Sequence, residues 1–210
     1  MPMVITNGYD PDDFKKAGTV DLDEKFSILH AGSLNDDRNP HILWEVLDEI
    51  CSSDETFKKD LELKFIGQLS PVALQEAKSK GLEENLNLTN SMPHAEVVKH
   101  EMTAQLLLLP LNDTPNIDGV VPGKLYEYIG AKRPILCIGK PTGDSARIIQ
   151  ETNAGRVADF KDKDALKAII TEYYRSYKAG NLKAESNNYE KYSRQLLAGQ
   201  IAEELNKIAL

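Results

Sequence analysis

Gln105-Leu-Leu-Leu-Leu-Pro-Leu-Asn-Asp-Thr-Pro-Asn-Ile-Asp-Gly-Val-Val-Pro-Gly-Lys-Leu-Tyr-Glu-Tyr-Ile-Gly-Ala-Lys-Arg-Pro-Ile-Leu-Cys-Ile138 reads as strand, loop, helix and strand. Residues 105–110, after the polar Gln105, and 134–138 are apolar runs of strand length. Such runs suit parallel strands covered on both faces better than a half-exposed antiparallel strand, which alternates. Between them, Pro122 suits the first position of a helix over 122–132, and Leu125, Tyr128 and Ile129 share one face of it. A strand, a crossover helix and a second strand make one βαβ unit.

The same alternation extends in both directions. Strands are expected at 26–31, 61–66, 86–89 and 156–158, and helices at about 39–51, 71–80, 94–101, 144–152 and 163–177. The result is an α/β fold: a doubly wound, Rossmann-like parallel sheet of about six strands. Ligands of such sheets bind beyond the carboxyl ends of the strands, so the loops there are where chemistry is expected. Residues 1–25, rich in Asp, Gly, Lys and Pro, read as a linker followed by a turn; 26–183 form the sheet domain. Residues 184–210 read as one long amphipathic helix, with Tyr189, Tyr192, Leu196, Ile201, Leu205 and Ile208 on one side.

Across its 210 residues the chain is 41% hydrophobic and 28% charged, ordinary for a globular domain, and its net charge of −8 disfavours a nucleic-acid surface. Cys51 and Cys137 have no metal-type spacing, and Cys137 lies in an apolar run, so a reduced thiol and a cytoplasmic setting are expected. His30, His41 and His100 have no cysteine or acid at metal spacing, so no metal and no cofactor are expected. No stretch is long and apolar enough to cross a bilayer. No basic and apolar leader is expected, and the opening Met3-Val-Ile5 reads as the start of a piece of a larger protein.

Four loops carry candidate chemistry. In Ala31-Gly-Ser-Leu-Asn-Asp-Asp-Arg38, Gly32 permits close backbone approach and Arg38 near a helix start suits phosphate; a plain turn with a solvent-facing arginine is the other reading. In the segment from Asp118 to Pro134, Gly123 leaves amides open to an anion at the helix start. Glu127 there has small helical neighbours, Gly123, Gly130 and Ala131, that leave room for a ligand's vicinal hydroxyls. The competing reading is a Lys124–Glu127 surface ion pair. In Gly139–Arg147, Asp144 or Ser145 is expected to cap a helix. His94 is read as a cap or surface residue before a base. A Gly-x-Gly-x-x-Gly fingerprint after a strand is missing, which disfavours a nicotinamide dehydrogenase.

Together these segments resemble the C-terminal, donor-binding domain of retaining glycosyltransferases of the GT-B fold, the group 1 or family 4 type. Val4-Ile-Thr-Asn-Gly-Tyr-Asp-Pro-Asp-Asp-Phe14 is similar to the family's interdomain segment, and Ile28-Leu-His-Ala-Gly-Ser-Leu34 with Arg38 to its first strand and phosphate loop. Ser33 stands where many members have Arg, and Arg38 stands for a Lys. Leu63-Lys-Phe-Ile-Gly67 and Ala104-Gln-Leu-Leu-Leu-Leu-Pro110 resemble later strands, and Pro122–Ile135 the signature helix in its Lys-x-x-Glu-Tyr version.

The resemblance implies a nucleotide diphosphate sugar as donor, with Gly32, Ser33, Arg38, Gly123, Lys124, Leu125 and Glu127 around it. It implies that Glu127 holds the ribose as the second acid of a Glu-x7-Glu motif. The first acid's position, eight residues earlier, holds Gly119, with Asp118 one residue away. Arg38 and Lys124 are expected to neutralise the leaving diphosphate without a metal, with Asp118 a third catalytic candidate, and either Asp118 or Gly119 takes the first acid's position. The implied activity is sugar transfer to a glycan or lipid-linked acceptor in surface polysaccharide biosynthesis. Its acceptor side would come from an absent N-terminal domain, braced by the terminal helix, with peripheral membrane association of the full-length enzyme. A nucleotide-sugar epimerase of the same fold and a non-catalytic nucleotide-binding module are the alternatives.

Overall fold

The six expected strands become six parallel strands in the computed structural model, which describes residues 4–208. They are β1 (Phe26–Ala31), β2 (Leu61–Ile66), β3 (Leu86–Thr89), β4 (Leu106–Pro110), β5 (Ile135–Ile138) and β6 (Gly155–Ala158), in the order β3-β2-β1-β4-β5-β6. β1, β4 and β5 are buried at every residue, as continuous apolar runs require. The edge strand β3 departs from that rule: it is largely exposed, and Leu88 is 49% accessible. Strand order reverses between β1 and β4, which places a ligand crevice at their carboxyl ends.

In chain order the helices are α1 (Pro11–Ala17), α2 (His41–Ser53), α3 (Glu55–Asp60), α4 (Pro71–Ser79), α5 (His94–Thr103), α6 (Gly123–Ala131), α7 (Asp144–Glu151), α8 (Lys163–Lys178) and α9 (Arg194–Ile208). One core layer joins Trp44, Leu47, Phe57, Leu166 and Ile170 of α2, α3 and α8 to the sheet. The opposite layer holds Leu125, Tyr128, Ile129, Ile148 and Ile149 of α6 and α7. Local chemistry sets the helix starts. Ser70 accepts from the Ala73 amide at 3.0 Å with Pro71 next in line, and Asp54 accepts from the amides of Thr56 and Phe57.

Two expectations are corrected. The first 25 residues are not merely a linker and turn. Asp10 caps α1 through the Asp12 amide at 2.9 Å, and Phe14 and Tyr9 pack beside Gly130 of α6. Residues 184–210 are not one helix either. Asn188 takes a left-handed φ of 53°, a 3-10 turn spans Tyr189–Tyr192, and only α9 is regular. Tyr192 is buried against Tyr126 with ring centroids 5.4 Å apart, which pulls this segment onto the domain. The two segments also pair: the Tyr9 amide donates to Tyr192 O at 3.0 Å, and the Arg194 amide to Tyr9 O at 2.8 Å. Leu196, Ile201 and Leu205 of the expected apolar face are exposed. Met3, the side chain of Ile208, Ala209 and Leu210 lie outside the described residues.

Cys51 and Cys137 are free and buried, and burial pushes their thiols up to about 11 and about 12. Among the described residues no helix is long and apolar enough to cross a membrane, and no three His, Cys, Asp or Glu side chains group as metal ligands.

Candidate functional site

Two glycines shape the crevice where β1 and β2 end. Gly32 has a φ of 110° and Gly67 a φ of 116°, backbone that a side chain rarely tolerates. The Gly32 amide donates to Ile66 O at 2.7 Å, and a Cβ on Gly67 would lie 3.0 Å from the Gly32 carbonyl carbon. The two loops are thus stacked backbone on backbone.

The start of α6 completes the crevice. Pro122 precedes the helix and Lys124 sits in its first turn, where a Cβ on Gly32 would meet its Nζ at 2.3 Å. The ammonium therefore lies over the bare Gly32 backbone. Tyr128, fully buried on the same helix, accepts a hydrogen bond from the Ala31 amide at 3.1 Å. Arg38, in a 3-10 turn over Asp36–Arg38, is half-buried and donates through Nε to Asn112 Oδ1 at 2.9 Å.

Lys124 borders two cavities. One, of about 210 Å3, is lined by His30, Arg38, Asn112, Thr114 and Pro122 among others. The second, of about 220 Å3, is lined by Gly32, Ser33, Ser91, Val97, Glu101 and Glu127 among others. One side thus offers two cations and a helix N-terminus, which suit a phosphate anion. The other offers carboxyl groups, which suit hydroxyls or N–H groups. Burial first, and then Arg38, lower the Lys124 ammonium, while Glu101 and Glu127 act in the opposite sense.

Arg38, Lys124, Gly32, Ser33 and Glu127 are therefore brought together. Among the described residues the Lys124–Glu127 ion pair does not form, because the ammonium turns to Gly32. The room expected beside Glu127 at Gly130 is filled, since a Cβ there would meet Phe14 at 2.4 Å. Gly123 is exposed at the helix tip. Leu125 is corrected: it is fully buried in the core, as the apolar face of α6 demands, and its amide is bound to Pro122 O. Asp118 lies outside both cavities, exposed and paired with Lys140 at 3.4 Å, and Gly119 is exposed beside it.

The capping expected of Asp144 or Ser145 also fails. Gly143 is the N-cap of α7, Asp144 pairs with Arg147 at 2.9 Å, and Ser145 donates to Val120 O at 2.8 Å. Ser145 instead fastens the loop that leads into α6. His94 is exposed and pairs with Asp13 at 3.3 Å, joining α5 to α1.

Two side chains at the cavities escaped the sequence reading. His30 is buried with Nδ1 3.1 Å from Leu108 O and no partner at Nε2; burial first, then Lys124, hold it down at about 3, so it is neutral. Glu101 is fully buried, and neither carboxyl oxygen has a hydrogen-bond partner. Burial first, then Glu127, push it up to about 8, against the pull of Lys124. The available signal was its spacing from Val97 and Val98, which puts an acid on the inward face of α5.

The model of the family "Glycosyl transferases group 1" matches residues 12–196. No curated protein matches the chain in sequence. Among solved structures, a glycosyltransferase from Rickettsia africae superposes with a TM-score of 0.74 at 13% identity, covering 99% of this chain and 57% of that one. WaaG, a glycosyltransferase involved in lipopolysaccharide biosynthesis, gives 0.64 at 17%, covering 93% and 55%. MnaA of S. aureus, solved with UDP, gives 0.60 at 12%, covering 94% and 48%. The chain thus spans about half the length of the structures it resembles.

Proposed function

This chain belongs to the glycosyl transferases group 1 family, and from that premise we propose that it is the donor-binding domain of a glycosyltransferase whose substrate is a nucleotide diphosphate sugar. The observation that carries this reading is the position of Lys124: over Gly32, between a cavity shared with Arg38 and one shared with Glu127. A pyrophosphate seated at Arg38, Lys124 and the tip of α6 would leave its ribose hydroxyls facing Glu127. UDP in the MnaA structure is consistent with such a ligand.

In this reading Arg38 and Lys124 neutralise the charge that grows on the diphosphate as the glycosyl bond breaks, without a bound metal. Both cations are fixed beforehand, Arg38 by Asn112 and Lys124 by its fit over Gly32, so little reorganisation accompanies the step. The acceptor, a glycan or lipid-linked glycan of surface polysaccharide assembly, is proposed to meet the donor against an N-terminal domain of the same protein. The setting proposed is cytoplasmic, with the full-length enzyme peripheral to a membrane. The 210-residue chain should bind nucleotide and transfer nothing.

Calorimetry with UDP, GDP and ADP tests this. Binding of at least one is expected, and no binding to any would overturn the reading. Turnover of free UDP-N-acetylglucosamine without acceptor by the full-length protein would identify an epimerase instead.

A further inference from the structure

Glu101 is a charged residue type placed where nothing in the protein serves it. Its side chain is fully buried, its two oxygens lack hydrogen-bond partners, and it forms part of the wall of the cavity that holds Lys124 and Glu127. A buried carboxyl with no partner costs stability, so in a folded protein its presence needs a cause.

The groups facing it define what it does. From α6 come Lys124 and the phenol of Tyr128, both of which sense Glu101 electrostatically, and Glu127, whose charge acts on Glu101. β1 and its loop present Ala31, Gly32 and Ser33, which carry no charge. From α1, Asp13 is occupied by His94 at the start of α5. The neighbourhood is therefore one cation against two acids, with Arg38 beyond Lys124. If both acids were ionised, the charges of Arg38, Lys124, Glu127 and Glu101 would cancel; with Glu101 neutral, the set is net positive.

We propose that Glu101 is a positioning residue for the donor site: as a neutral carboxyl it leaves the Lys124 charge free for the diphosphate, and nucleotide binding drives it to keep or take up a proton. The proton comes from solvent, and no bond to the ligand forms or breaks. Glu101 thus makes affinity for an anionic ligand depend on one proton. The group is held up to about 8 in the ligand-free protein. A bound diphosphate beside Lys124 raises it further, because a second negative charge nearby opposes ionisation. This inference rests on the donor-binding reading.

The test is calorimetric titration of the chain with UDP from pH 7 to 9, in buffers of different ionisation enthalpy. Wild-type affinity is expected to fall by up to about tenfold across that range, with uptake of about half a proton per nucleotide near pH 8. Glu101→Gln, neutral at every pH and of the same shape, is expected to bind UDP with an affinity that does not change between pH 7 and 9. It should take up no proton at this site. Wild-type binding without proton uptake, or the same pH-dependent loss in Glu101→Gln, overturns the inference while leaving donor binding intact. Absence of nucleotide binding by the wild type overturns the donor-binding reading itself. The buffer series on the wild type stands even if the variant fails to fold.

Discussion

The phenol of Tyr128 accepts a hydrogen bond from the Ala31 amide at 3.1 Å, tying the helix that carries Lys124 and Glu127 to the residue before Gly32. Tyr128→Phe removes the acceptor and strands a buried amide. It is expected to cost about 1–3 kcal/mol in urea unfolding, with a weaker loss of nucleotide affinity as α6 loosens. Unchanged stability would show that the tie contributes nothing.

In the proposed donor site Lys124→Met and Arg38→Ala would each remove a charged donor to the diphosphate, and Glu127→Ala would remove the acceptor proposed to face the ribose. Each is expected to weaken UDP binding at least about tenfold, and the cations up to about a hundredfold. Asn112→Ala should do less, because it only orients the Arg38 Nε. Wild-type affinity by calorimetry in any of the first three removes that residue from the site.

Gly32→Ala combines two faults: a Cβ 2.3 Å from the Lys124 ammonium and a φ of 110°. It is expected to cost about 1–3 kcal/mol of stability and to lower UDP affinity at least about tenfold, because the lysine must move. Gly81→Ala is the control. Its φ is also positive, at 70°, but open space surrounds it, so thermal stability should fall while UDP affinity holds.

Glu101 also sets a pH dependence of folding. The folded protein keeps its proton to about 8, whereas an unperturbed carboxyl releases it at 4.5. A raised value in the folded state means that the contribution is fully present below about pH 4.5 and is lost as pH rises to about 8. Thermal unfolding across this window should show that decline in the wild type and a flatter profile in Glu101→Gln. Parallel profiles would refute it.

The centre of the sheet was legible because β4 and β5 are unbroken apolar runs between turn residues, and such runs have few other ways to be buried. Asn188 shows the limit: a long helical period over 184–210 gives way where one left-handed residue and the pull of Tyr192 on Tyr126 outweigh local pattern. Tyr9 and Phe14 were hidden in a polar stretch because two aromatics carry no period, and only contact with α6 reveals their role. At the site, the residue types of Arg38, Lys124 and Glu127 were readable from their loops. Glu101 was not, since an inward acid on α5 gains meaning only once α6 places Lys124 against it. Leu125 and Asp118 illustrate the opposite error, in which motif neighbours are carried into a site that their side chains do not face.

Because Gly67 rests on Gly32 with no room for a Cβ between them, much of the crevice wall at the sheet end is main chain, with little for mutation to reshape. Redirecting the protein to another ligand would have to proceed through the helices. Changes at Val97, Glu101 or Glu127 can alter the chamber one group at a time, whereas a bulkier residue at Gly67 would force both loops apart together.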